Sequence, residues 1–210
     1  MDPFNGYSAN EELKKNVEEN LKGVTLVKQA EHRLAEVFTL AFRENFMNRP
    51  YHLWQEVASR SNWTYHTAFA IREAAQTLGL SCTFETMGKL DAVIETIEKK
   101  TRTVLLAEWE SDYQSVFGKG KELDKLWRGL SRKRHASALL FTYCPLDKYY
   151  SFIKDVVVYW QKRAARSKYP PSLFLPVVVY EVEGSDLVFQ FIRTIEILPK
   201  EIVLWGDLHF

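Results

Sequence analysis

Three carboxylates, Asp91, Glu108 and Glu110, fall at the same end of two neighbouring apolar runs. The stretch from Lys89 to Asp112 reads KLDAVIETIEKKTRTVLLAEWESD. Leu90 to Ile97 and Thr101 to Ala107 are apolar and rich in β-branched residues, the composition of strands. Glu98-Lys99-Lys100 between them is a charged tip suited to a turn. A two-residue loop at Lys99 and Lys100 pairs Glu98 with Thr101 and sets Asp91 directly opposite Glu108. Opposed residues project to one face with Cβ atoms roughly 5 Å apart. Glu110, two residues beyond Glu108, shares that face. A four-residue loop gives the same register, whereas a three-residue loop or a bulge would move Asp91 off it.

Carboxylates gathered in this way repel one another unless something positive binds among them. Clustered oxygen ligands suit Mg²⁺ or Mn²⁺. Such an ion polarises a phosphate and lowers the pKa of a water. The competing reading is the solvated end of an ordinary hairpin, since most acidic residues are surface groups. The acids follow directly on the apolar run VLLA, where a solvated face is less expected.

Asp91 followed by Glu108-Trp109-Glu110 after a hairpin resembles the PD-(D/E)xK nuclease motif. Glu110 stands where that motif usually has lysine, and the resulting E-x-E is similar to the variant in BamHI-type restriction endonucleases. Leu90 replaces the proline before the aspartate. The resemblance implies that Asp91 and Glu108 bind Mg²⁺ or Mn²⁺, with the Trp109 carbonyl as a further ligand. Glu110 would act as general base or extra ligand, or else mark a site that has lost activity. A helix glutamate before the hairpin supplies another ligand in some nucleases of this kind. Glu73 is the candidate here and Glu56 its rival, against a plain pairing of Glu73 with Arg72.

The elements around the motif read in the same direction. Leu13, Val17 and Leu21 mark a first helix. Val27 to Phe46 recur at helical spacing before Asn48-Arg49-Pro50 breaks the pattern. Tyr51 to Ser59 suggests a short helix, and Ala68, Ile71, Ala75 and Leu78 mark another that Gly79 closes. Leu80, Cys82 and Phe84 alternate with polar residues as a half-buried strand, and Met87-Gly88 turns into the hairpin. Gly118 and Gly120 loosen the loop after the acids. In KGKELDKLWRGLSRKRH, Leu123, Leu126, Trp127 and Leu130 form one face of a helix. Lys119, Lys121, Lys125, Arg128, Arg132, Lys133 and Arg134 make that segment basic. Lys119 and Lys121 are candidate phosphate ligands. Lys125 and Arg128 are assigned to nucleic acid too, against the alternative of a solvated helix face.

Ala136 to Cys144 is apolar throughout, as in a strand buried on both faces. An amphipathic helix from Tyr149 to Trp160 follows. Phe174–Val182 and Leu187–Leu198 read as a hairpin around Glu183-Gly184-Ser185-Asp186, and the tail holds one more short strand. The elements read as α+β with a mixed sheet, and their order agrees with what the resemblance implies: a restriction-endonuclease-like αβββαβ core at residues 61–210, preceded by a helical extension at 1–60.

Composition bounds the function. At 210 residues, 46% hydrophobic and 14% aromatic, the chain has enough apolar material for one packed core. A net charge of +1 excludes a uniformly basic nucleic-acid coat, so DNA contact must come from local patches. No run is long enough for a transmembrane helix. The N-terminus lacks a signal-peptide pattern, so the cytoplasm is the expected location. Two cysteines in apolar contexts, Cys82 and Cys144, read as buried thiols rather than a disulfide or a zinc site. The resemblance implies a Mg²⁺-dependent hydrolase, an endonuclease acting on DNA, and a homodimer if both strands of a duplex are cut. The alternative is a nuclease-like fold that binds nucleic acid or protein without catalysis. DNA versus RNA stays open.

Overall fold

The structure is a computed structural model that describes residues 24–48, 60–86, 90–133, 135–184 and 186–210. The expected helices at 10–22 and 51–59, the Met87-Gly88 turn, Glu56 and Arg134 lie outside the described residues. The described chain is mixed α+β. Its elements run α1 (Val24–Met47), α2 (Arg60–Thr77), β1 (Leu80–Thr86), β2 (Leu90–Thr96), β3 (Thr103–Glu110), α3 (Glu122–Leu130), β4 (Ser137–Pro145), α4 (Leu146–Ala164), β5 (Leu173–Glu183), β6 (Asp186–Ile197), β7 (Ile202–Leu204) and β8 (Leu208–His209). The α-β-β-β-α-β order expected from the sequence is thus present from α2 to β4. The tail holds two short strands where one was expected.

One sheet contains all eight strands, in the order β1 to β7 with β8 added against β6. The pairs β3–β4 and β4–β5 are parallel, each joined by a helix, and the remaining pairs are antiparallel. β3 and β4 lie inside the sheet and are buried on both faces, hence their continuous apolar runs.

The two faces carry separate cores. On one, α1 and α2 place Phe38, Phe42, Phe46, Trp63 and Ile71 against Ile94, Leu105, Phe141 and Phe174. On the other, α3 and α4 place Leu123, Leu126, Phe152 and Trp160 against Val93, Leu106, Leu140 and Val177. Phe141 joins β4 to both helices of the first layer, at 5.1 Å and 81° to Phe42 and 5.7 Å and 15° to Trp63. α1 therefore packs into the core of this face. The reason is geometric: a sheet has two apolar faces, and α3 and α4 cover only one.

The hairpin keeps the expected register by an unexpected route. Ala92 faces Ala107, Val93 faces Leu106 and Ile94 faces Leu105, and the next pair in step is Asp91 with Glu108. The tip is longer than two residues, and the register shifts between Ile94 and Glu95 so that Glu95 faces Thr103. The Thr96 and Arg102 backbones then close the connection (2.9 Å). Burial of Val93 and Leu106 on one face and of Ile94 and Leu105 on the other holds the register where the acids sit.

Phe42 has no exposed surface. Phe42→Ala should lower the stability of the whole unit by about 3–5 kcal/mol in a single unfolding transition. Denaturant titration followed by tryptophan fluorescence checks this, because an independent extension would leave the main transition where it was.

Candidate metal centre

Asp91 enters the site from the start of β2 and Glu108 from near the end of β3. Both project to the face that α3 covers. The Leu123–Leu126–Leu130 stripe seats α3 on Leu106 and neighbouring residues, which turns Glu122 and Lys125 inward. Lys125 Nζ donates to Glu108 Oε2 at 2.9 Å and to Glu122 Oε1 at 3.4 Å. The Trp109 N–H donates to Asp91 Oδ2 at 2.8 Å, which fixes the aspartate beside Glu108.

The helix is well anchored at that point. Asp124 Oδ2 accepts from the Gly120 N–H at 2.8 Å, closing the first turn of α3, and Oδ1 accepts from Arg163 of α4 at 3.2 Å. These bonds hold the Asp124 carboxyl below its ordinary range, the Gly120 amide contributing most. Gly129 lets α3 come close to the sheet, since a Cβ there would stand 2.7 Å from Leu106 Cδ1 and 3.1 Å from Leu90 Cδ1.

Charge does not balance in this cluster. Glu108 has no exposed surface and Glu122 is 7% exposed. Asp91, Glu108 and Glu122 face Lys125, so the fully ionised cluster holds a surplus of negative charge in a poorly hydrated place. Burial pushes the Glu108 carboxyl up to about 8, the Asp91 charge adds to the rise, and Lys125 opposes it. Burial raises Asp91 as well, against the pull of the Trp109 amide and Lys125. Glu108 Oε1 and Glu122 Oε2 are buried and accept no hydrogen bond. Unpartnered carboxylate oxygens are costly unless a proton or a cation meets them.

The residues singled out in the sequence are distributed as follows. Asp91 and Glu108 come together. Trp109 shares its amide with them; N–H and C=O of one extended residue point to the same strand edge, so its carbonyl is directed toward β2. Glu110 lies on the same face one step further on, and its Oε1 accepts from Ser111 Oγ and the Asp112 N–H, both at 3.2 Å. Glu73 is on α2, which packs on the opposite face of the sheet, so it is not brought to the cluster. Lys125 departs from the expected phosphate-facing role: its ammonium is committed to Glu108 and Glu122, and it is 21% exposed. Arg128 is exposed and pairs with Asp124 at 3.3 Å, the solvated-face alternative. Lys119 and Lys121 are exposed in the turn leading into α3.

Compared with protein-family models, with curated proteins and with solved structures, the chain matches none. The site must therefore be understood from its own geometry. Glu122 joins the cluster although the sequence shows it only as an acid within a basic segment. Its signal was positional, because Glu122 precedes Leu126 by four residues and so borders the face that packs on the sheet.

Both cysteines are free thiols; Cys144 is buried as expected, whereas Cys82 on the first strand is only half-buried. Burial pushes Cys82 up to about 11 and Cys144 up to about 12, which suits thiols without nucleophilic work. No described helix is long and apolar enough to cross a membrane.

A raised carboxyl pKa favours the neutral form in the folded state. The associated stability is fully present below the ordinary value of 4.5 and is lost as pH rises through about 8. Glu108→Gln is neutral throughout. In thermal melts of metal-free protein from pH 5 to pH 9, the native chain should lose stability relative to Glu108→Gln as pH rises. Parallel curves would mean that Glu108 does not titrate in this window.

Proposed function

We propose that the chain is a metal-dependent nuclease of the restriction-endonuclease-like kind, hydrolysing phosphodiester bonds in DNA. The observation that carries this reading is the buried cluster itself: Asp91, Glu108 and Glu122 converge at the end of β3 with surplus negative charge and two unpartnered carboxylate oxygens. The α-β-β-β-α-β order from α2 to β4 supports it.

The donor set fits a hard divalent cation, being made of carboxylate oxygens with a backbone carbonyl beside them. Asp91, Glu108 and the Trp109 carbonyl would hold Mg²⁺ or Mn²⁺, with Glu122 as an added anion behind them. When bound, the ion supplies charge neutralisation at the phosphate and a more acidic water.

The chain's own groups do the rest. Lys125 anchors Glu108 through Oε2 and leaves Oε1 as the available oxygen. It also puts a positive charge beside the acids, the kind of group that E-x-E lacks at position 110. Glu110 would position or deprotonate the attacking water once its bonds to Ser111 and Asp112 yield. Lys119 and Lys121 would neutralise backbone phosphates along the loop. Cleaving both strands of a duplex would require two copies of the chain.

A second reading is favoured by one observation. The cluster is partly satisfied without an ion, through Lys125 on Glu108 and the Trp109 amide on Asp91. In that case the fold would bind nucleic acid or protein without catalysis.

Mn²⁺ calorimetry and plasmid nicking on the same samples separate these readings. The native chain should bind Mn²⁺ and nick, and Asp91→Asn should lose both by at least about a hundredfold. Lys125→Met should bind Mn²⁺ at least as well as the native chain, because a competing cation is gone, yet nick more slowly. Absence of Mn²⁺ binding by the native chain would remove the nuclease reading.

A further inference from the structure

Another buried acid lies on the other face of the sheet, away from Glu108. Glu196 on β6 is 3% exposed and stands opposite Phe174 of β5, so it points into the layer formed by α1. Above it, His32 and Glu36 lie one helical turn apart on α1. His32 Nε2 is 3.0 Å from Glu196 Oε1 and 3.5 Å from Glu36 Oε1. One donor atom from each of the three residues can be chosen so that all lie within 4.8 Å of one another. The imidazole stacks on Phe174 at 5.7 Å and 27°, and its Nδ1 lies 3.5 Å from Ser172 Oγ.

The informative detail is at Glu196. Its Oε1 is buried and accepts no hydrogen bond, although His32 Nε2 is at hydrogen-bond distance. Two groups that are close without hydrogen-bond direction are placed as neighbouring ligands of one ion would be. Donor atoms each about 2.0–2.2 Å from a cation, at tetrahedral or octahedral angles, stand about 3–3.5 Å apart. Burial raises the Glu36 carboxyl, His32 and Arg33 oppose the rise, and the nearby Glu196 adds to it.

We propose that His32 Nε2 and the carboxylates of Glu36 and Glu196 bind one divalent transition-metal ion of the Zn²⁺ class, clasping α1 to β6. An imidazole donor selects against Mg²⁺ and Ca²⁺, and one nitrogen with two carboxylate oxygens suits Zn²⁺. Ser172 at Nδ1 and the Phe174 ring hold the imidazole in place, the role that outer groups play around metal-bound histidines. His32 and Glu36 keep 29% and 37% of their side-chain surface exposed, which leaves an entry path and room for a water as fourth ligand. The site is independent of the nuclease reading, because it uses the opposite face and a different donor set.

Zn²⁺ calorimetry and thermal melts test it on the native chain, Asp91→Asn, Glu36→Gln and His32→Ala. The native chain and Asp91→Asn should bind one equivalent at this site, and free Zn²⁺ at a hundredfold above Kd should raise Tm by about 5–10 °C. Glu36→Gln replaces a partly exposed side chain and should fold normally, confirmed by circular dichroism, yet bind at least tenfold more weakly. His32→Ala should lose the site together with the ¹⁴N coupling seen by pulsed EPR when Cu²⁺ replaces Zn²⁺ in Asp91→Asn. Zn²⁺ binding that disappears in Asp91→Asn, or survives unchanged in Glu36→Gln and His32→Ala, would overturn the proposal, as would failure of the native chain to bind.

Discussion

A carboxylate with no exposed surface is the constraint on which the functional end of this molecule depends. Glu108 sits between Asp91 and Glu122, and Lys125 is its charged partner. Removing such a group from water costs several kcal/mol unless the surroundings compensate. One lysine does not compensate three acids. The consequences are a Glu108 carboxyl pushed up to about 8 and buried oxygens without partners. A fold that gathers acids in this way is either storing a proton or presenting a cation site, and both follow from the same imbalance.

Three structural decisions create that environment. The β2–β3 register sets Asp91 beside Glu108. The parallel β3–β4 pair makes β3 an interior strand, so Glu108 is buried from both edges. α3 then closes over the face, and its apolar stripe carries Glu122 and Lys125 inward with it. Gly129 permits that approach, and Asp124 ties the start of the helix to Gly120 and to Arg163 of α4. The opposite face repeats the theme with fewer charges, where buried Glu196 meets His32 and Glu36 of α1.

Much of this was legible in the residue pattern, though for reasons that need separating. The Asp91–Glu108 register was expected from a two-residue turn. The turn is longer, with a shift at Glu95, and the register stands because alternating burial along β2 and β3 enforces it. The central strand β4 was evident from its unbroken apolar run. The bonds of Lys125 to Glu108 and Glu122 were not legible, because a helix position beside the packing face looks the same in sequence whether solvent or a buried carboxylate lies across from it. Glu73 was carried toward the site by its place in the order of elements, but order does not say which face of the sheet a helix covers. The order of elements is equally silent on what α1 packs against. The helical spacing of its apolar residues is plain in the sequence, and only the sheet reveals what Phe38, Phe42 and Phe46 cover. Contacts between residues far apart in the chain, such as His32 with Glu196, carry no local signal at all.

The most direct test of the charge account is the proton balance of Mn²⁺ binding. Calorimetry in buffers of different ionisation enthalpy gives the number of protons released per ion. If Glu108 is held neutral by its surroundings, binding at pH 7 should release about one proton, falling toward zero above about pH 9, where Glu108 is already ionised. Mn²⁺ binding at pH 7 with no proton release, or no binding at any pH, would contradict the claim that this buried cluster awaits a cation.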